Sequence, residues 1–159
     1  PRSRALLEES VRLPEDLGSF SFVLVVRSVL ANVARAEGRF EAAQTLLLDG
    51  LRQAVRNNAR GKILHDICSL GLLAMATGDR VRGTRLIAVY ASPTGLVGTV
   101  DTADLRLEGQ AALAQAREIL GDAAYDAAWD AGQAMTLEQA VTDALEAGLP
   151  AQEVTAALP

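Results

Sequence analysis

The chain reads as an all-α protein, a stack of antiparallel helix pairs closed by extra helices at its C-terminal end. Three observations carry that reading. The sequence repeats itself at a distance of 40 residues, so that 23–51 can be laid on 63–91. Leu30 then falls on Leu70, Ala31 on Gly71, Ala34 on Ala74, Gly38 on Gly78, Ala43 on Gly83 and Leu47 on Ile87. Within each copy the apolar residues recur at helical spacing, and no stretch alternates at period two long enough to make a strand. Aromatics are only 4% of the chain, and alanine and leucine dominate, which favours closely packed helices. A repeat of this length is a supersecondary unit that buries its apolar face only against its neighbours.

The elements follow in order. Residues 2–13 predict the second helix of a truncated preceding repeat, because Leu6, Leu7 and Val11 take the positions of Leu46, Leu47 and Leu51. Pro14 and Gly18 punctuate the connection. The first full repeat spans 19–56: a helix over 19–37 capped by Ser19 or Ser21, a stop at Gly38, and a returning helix over 40–56 with Ala43, Leu47 and Leu51 on one face. The second spans 59–91, as helices 59–77 and 80–91 around Gly78-Asp79. A loop at 92–100 carries Pro93, Gly95 and Gly98. A degenerate third repeat covers 102–133, its Gly121-Asp122 echoing Gly78-Asp79 at a spacing of 43. Its returning helix, 122–133, carries Tyr125 and Trp129, expected to pack as the core of that repeat. Thr136 and Gln139 form a capping box that opens helix 136–147, stopped by Gly148 and Pro150. A short frayed helix follows at 151–158, so that 136–158 forms the C-terminal cap of a single domain covering 1–159.

The chain has 159 residues and a formal net charge of -5, enough length for one sizeable core and a charge that disfavours direct nucleic-acid binding. Cys68 is the only cysteine, which excludes an intrachain disulfide and suits a reducing, cytoplasmic setting. The apolar run at 22–26 stops at Arg27, far short of a membrane span. The start at Pro1 suggests a piece of a longer protein. His65 and Cys68 share a helix face, yet a zinc site needs three or four ligands and no second His or Cys exists. No phosphate loop follows Gly95 and Gly98. Neither catalysis, nor a cofactor, nor a metal is expected of this segment.

The order leucine, small residue, alanine, glycine, alanine-type position, large apolar residue (Leu30, Ala31, Ala34, Gly38, Ala43, Leu47) resembles the tetratricopeptide repeat. The period is longer than the usual repeat, as in bacterial signalling ATPases and their relatives, and Arg80 stands where Phe40 does in the first unit. Residues 119–145 are similar to the end of the helical-repeat region of bacterial multidomain regulators, which include LuxR-type transcriptional regulators, signal-transduction ATPases and cyclase-linked ATPases. Leu120, Gly121, Tyr125, Trp129, Gly132, Thr136, Glu138 and Ala140 carry that likeness. The resemblance implies a right-handed superhelix whose first helices line a groove. By this register the groove presents Val25, Ser28, Asn32 and Arg35 from one unit and His65, Cys68, Leu72 and Met75 from the next. It implies a non-catalytic module of a bacterial regulator that binds a protein or peptide, or a small effector. The alternative is a structural spacer or homodimerisation platform with no ligand. Any ATPase or cyclase activity would belong to other parts of the parent protein.

Overall fold

The computed structural model describes residues 20–92 and 103–146. Seven helices make up this part of the chain: α1 (Phe20–Ala36), α2 (Phe40–Arg56), α3 (Arg60–Ala76), α4 (Arg80–Ala91), α5 (Ala103–Leu120), α6 (Asp122–Gln133) and α7 (Leu137–Glu146). No strand occurs among the described residues. The class is therefore all-α, and each helix begins and ends within one residue of the sequence expectation. Ser21 lies inside the first turn of α1 rather than at its cap. The helix expected at 2–13, the connection through Pro14 and Gly18, the cap at Ser19, most of the loop at 92–100 and the helix at 151–158 lie outside the described residues. Among those described, no helix is long and apolar enough to cross a membrane.

The first four helices start at residues 20, 40, 60 and 80, so the repeat of 40 is built from two half-units of equal length. The joints at Gly38 and Asn58 share one design, of which the joint at Gly78 keeps the first bond, from its amide to Met75 O (3.2 Å). The amide of Gly38 donates to Arg35 O (3.0 Å) and that of Arg39 to Ala34 O (2.8 Å); Asn58 and Ala59 donate to Val55 O (3.0 Å) and Ala54 O (2.9 Å) in the same way. This pair of bonds closes a helix end and requires a left-handed residue at its centre. The φ values of Gly38, Asn58 and Gly78 are 75°, 51° and 95°, and glycine and asparagine are the residues that tolerate this conformation best. Three-residue turns of this kind force successive helices antiparallel.

The core runs along the seams. Leu47, Leu51, Leu64, Ile67 and Leu86 are each at most 2% exposed. The most extensive crossing joins α3 and α4, where Gly71 and Gly83 face each other. A Cβ on Gly83 would lie 2.9 Å from Gly71 O and 2.7 Å from the Met75 Cγ. At the matching seam of α1 and α2 stand Ala31 and Ala43, 1% and 0% exposed.

The last helices depart from simple hairpin stacking. α6 packs mainly on α4 rather than on α5, the helix that precedes it. Gly132 makes this approach: a Cβ there would sit 2.2 Å from Arg85 O and 2.7 Å from the Ala88 Cβ. Beside it Gln133 Nε2 donates to Ala88 O at 2.6 Å. Tyr125 and Trp129 lie on another side of α6, stacked on each other with ring centres 6.3 Å apart. They are half-buried and outside the main core cluster, so they do not fill the core expected of the third repeat. α7 crosses back over α2, α3 and α4. Thr136 and Gln139 form the expected capping box, with reciprocal bonds of 2.8 and 3.2 Å.

Two glycines in helix interiors separate close approach from simple helix propensity. Gly132→Ala should destabilise the protein by about 1–3 kcal/mol, because its methyl meets backbone that cannot give way. Gly109→Ala, whose Cβ would stand 3.6 Å from Ile87 Cγ2, should be neutral or stabilising by up to about 1 kcal/mol. Chemical denaturation of the two variants checks the contrast; equal effects would show that α6 does not press on α4.

Candidate functional site

The first helices of the successive pairs, α1, α3 and α5, enclose a partly open cleft of about 290 Å³. Leu72 and Met75 of α3 and Ala112 and Ala116 of α5 give it apolar walls; Arg35, Arg80 and Glu108 give it charge. Its size is at the lower end of ligand pockets, enough for a side chain or a small molecule. Arg35 reaches from α1 across to α5, where its Nη2 donates to Glu108 Oε1. The Arg35 side chain is only 15% exposed and that of Glu108 44%. Arg35 Nε is enclosed and has no hydrogen-bond partner. Arg80 Nη1 spends its contact on Gly78 O at 3.3 Å, a long bond that leaves most of its donors to solvent. The cleft thus holds two guanidinium groups against one carboxylate.

Of the eight residues expected to line the groove, Arg35, Leu72 and Met75 meet in this cleft. His65, Cys68, Asn32 and Ser28 continue the face towards the other end of α1 and α3, and they are more enclosed than a solvent-lined groove requires. Cys68 is 1% and Ser28 6% exposed. The Asn32 Oδ1 and His65 Nδ1 atoms are enclosed without a hydrogen-bond partner. The Val25 side chain lies outside the described set. Met75, the counterpart of Arg35 at the shift of 40, carries no charge, yet Arg35 is not an isolated charge, because Arg80 and Glu108 share its cleft. Nor does it pair with Glu37 or Asp66: Glu37 is bound by Arg39 at 2.6 and 2.8 Å, and Asp66 by Lys62. Glu108 was missed, yet a signal for it existed. The spacing of 43 that links Gly78 to Gly121 also carries His65, Cys68 and Leu72 onto Glu108, Ala111 and Gln115, and all three line the cleft.

A buried ion pair braces the same face from behind. Asp66 is fully buried, and its Oδ1 accepts from Lys62 Nζ one turn earlier on α3. Gly50 of α2 leaves room for the pair: a Cβ there would stand 3.2 Å from Asp66 Oδ2 and 3.6 Å from Lys62 Nζ. His65 Nδ1 is 3.7 Å from Asp66 Oδ1, too far for a hydrogen bond. Burial holds the Lys62 ammonium below the usual lysine range; the Asp66 charge and hydrogen bond oppose that, and Arg27 adds to it.

Charge is divided along the chain. Residues 20–92 carry ten Lys and Arg against five Asp and Glu, whereas 103–146 carry two against nine. The overall acidity therefore resides in α5–α7, and the body of α1–α4 is basic. Among the described residues no group of three His, Cys, Asp or Glu side chains is placed to hold a metal. The cleft offers guanidinium donors and apolar contact, the equipment for holding an anion.

Replacing Asp66 by Ala strands a buried lysine and should cost about 3–5 kcal/mol at neutral pH. Only burial and Arg27 would then act on Lys62, both lowering its pKa. A lysine whose folded pKa lies below its unfolded one costs stability while charged, and the cost fades as pH rises towards the unfolded value, about 10.4. Part of the loss should therefore return on the alkaline side of neutrality. Denaturant melts across this range measure it; a penalty that stays constant or grows with pH would contradict the charge assignment.

Neither a protein-family model, nor a curated protein, nor a solved structure matches the chain.

Proposed function

We propose that this chain is a non-catalytic interaction module of tetratricopeptide-like, right-handed superhelical form, serving a cytoplasmic bacterial regulator. Its α1–α3–α5 cleft would hold a carboxylate of a partner peptide, or of a small acidic effector. The observation that carries the reading is Arg35, whose enclosed Nε has no hydrogen-bond partner while its Nη2 is held by one half-exposed carboxylate. A buried guanidinium with an unused donor is completed by a planar anion, which it can take in a bidentate pair. Arg80 adds a second positive group, and Leu72 and Met75 add apolar contact for the flanking atoms of a peptide. The regulator setting rests on the likeness of residues 119–145 to the end of such helical-repeat regions. Glu108 supports the alternative, a spacer without a ligand, because it already occupies the cation in the cleft. On the binding reading, Glu108 is a competitor that an incoming carboxylate displaces.

The two readings separate by substitution. Glu108→Gln removes the competitor and should tighten binding of acidic peptides by about tenfold, whereas Arg35→Ala should weaken it by about 10–100-fold, the value of a charge-assisted hydrogen bond. Fluorescence anisotropy against a panel of peptides with free C-terminal carboxylates reads both, and thermal shift reads acidic metabolites. Glu108→Gln with no gain for any acidic ligand would favour the spacer.

A further inference from the structure

Helix α7 sits on the body of the molecule as a ligand would. It is acidic, carrying Glu138, Asp143 and Glu146 and no base, and it lies on helices of the basic half. Its contact face is small: Ala140 and Ala144, four residues apart, are both 0% exposed, with Leu137, Val141 and Leu145 packed beside them. The polar hold is concentrated at one end. Arg85 of α4 grips the Asp143 carboxylate with both arms, at 2.9 and 3.2 Å. Arg82 Nη2 donates to the carbonyls of Asp143 and Ala144 at 3.1 and 3.4 Å, closing the last turn of α7 with a cation where the helix dipole is negative. At the other end α7 supplies its own capping box, so its start needs nothing from the body. It is joined to α6 by residues 134–136 alone.

The polar fit beneath α7 is incomplete. Arg82 Nε is enclosed and has no hydrogen-bond partner. The apolar face of α7, Ala140 and Ala144 with Leu137, Val141 and Leu145 beside them, lies on the core, and the ion pair to Asp143 with the cap from Arg82 sets which acidic helix the face accepts. We propose that the face formed by α2, α3 and α4 is a docking site for an acidic amphipathic helix of a partner protein, and that α7 fills this site until such a helix displaces it. The partner helix presents two small or medium apolar residues four apart and a carboxylate in the place of Asp143, which Arg82 and Arg85 receive together. This inference is independent of the α1–α3–α5 cleft, which α7 does not line.

Two measurements on the full chain test it. Hydrogen exchange on the unaltered protein should show the amides of 140–146 exchanging at least tenfold faster than those of 63–74 in α3. Equal protection would mean that α7 leaves only when the whole domain unfolds, and would overturn the proposal. A fluorescent, end-blocked peptide of residues 135–146 should bind the Asp143→Ala chain at least tenfold more tightly than the unaltered chain, and the same peptide bearing Asn for Asp143 should lose that gain. Equal binding to both chains, or indifference to the Asp143→Asn change in the peptide, would overturn it. A concentration-dependent dimer of the unaltered chain in light scattering, lost in Asp143→Ala, would overturn the partner assignment, placing the α7 of a second copy on the face instead.

Discussion

Everything in the described fold depends on how closely α4 can be approached from two sides. On one side Gly83 meets Gly71 of α3; on the other, Gly132 of α6 rests on Arg85 O, where even one methyl group would overlap backbone. Such contacts carry no large side chain, so their contribution lies in letting two backbones come near and in the dispersion contact that follows. Once α3 and α6 are fixed on α4, the remaining placements follow. α5 must bridge from the end of the second pair to the start of α6, which lays it along α3 and sets Glu108 opposite Arg35. α7 leaves α6 beside Arg85 and Ala88 of α4 and runs within reach of Arg82 and Arg85.

The same geometry explains the two cation sites. Arg35 and Arg80 come from the last turn of α1 and the first of α4, and both lie by the cleft because the joints at Gly38 and Gly78 are at the same end of the stack. Arg82 and Arg85 lie two and five residues beyond Arg80, and their interactions with Asp143 and Ala144 place them on the side of α4 that receives α7. A short run of one helix thus serves a cleft on one side and a docked helix on the other. The acidic α5–α7 segment answers the basic α1–α4 body at both places, through Glu108 and through Asp143. The protein's own acidic groups occupy the positions that an acidic ligand or partner would take, and each of these cation sites retains an enclosed Nε donor without a partner.

Much of the fold was legible because its boundaries are written in local chemistry. Gly38, Gly78 and Gly121, all at positive φ, stop helices where the sequence says they stop, and Thr136 with Gln139 opens the last one. The half-period of 20 was hidden. Asn58 fills the turn position that glycine takes elsewhere, and the two helices of a pair play different packing roles, so their side chains do not match. The docking of α6 on α4 was not legible either. Gly132 looks like any helical glycine until the opposing backbone is in view. In the site, Arg35, Leu72 and Met75 followed from the repeat register, while Glu108 lay beyond the loop that shifts that register from 40 to 43. The charge division was concealed by the net value for the whole chain, in which a basic and an acidic half offset each other.

The placement of α6 on α4 is the claim from which the cleft and the docked helix both derive. It is tested most directly by a nuclear Overhauser measurement on protein with labelled alanine methyls and glycines. Direct contact predicts a strong cross-peak between the Gly132 α-protons and the Ala88 methyl, since a Cβ on Gly132 would stand 2.7 Å from that carbon. If Gly132 instead shows its contacts to alanines of α5, such as Ala112 or Ala116, α6 folds back on its own neighbour as an ordinary third hairpin. The account given for α4 would then be wrong.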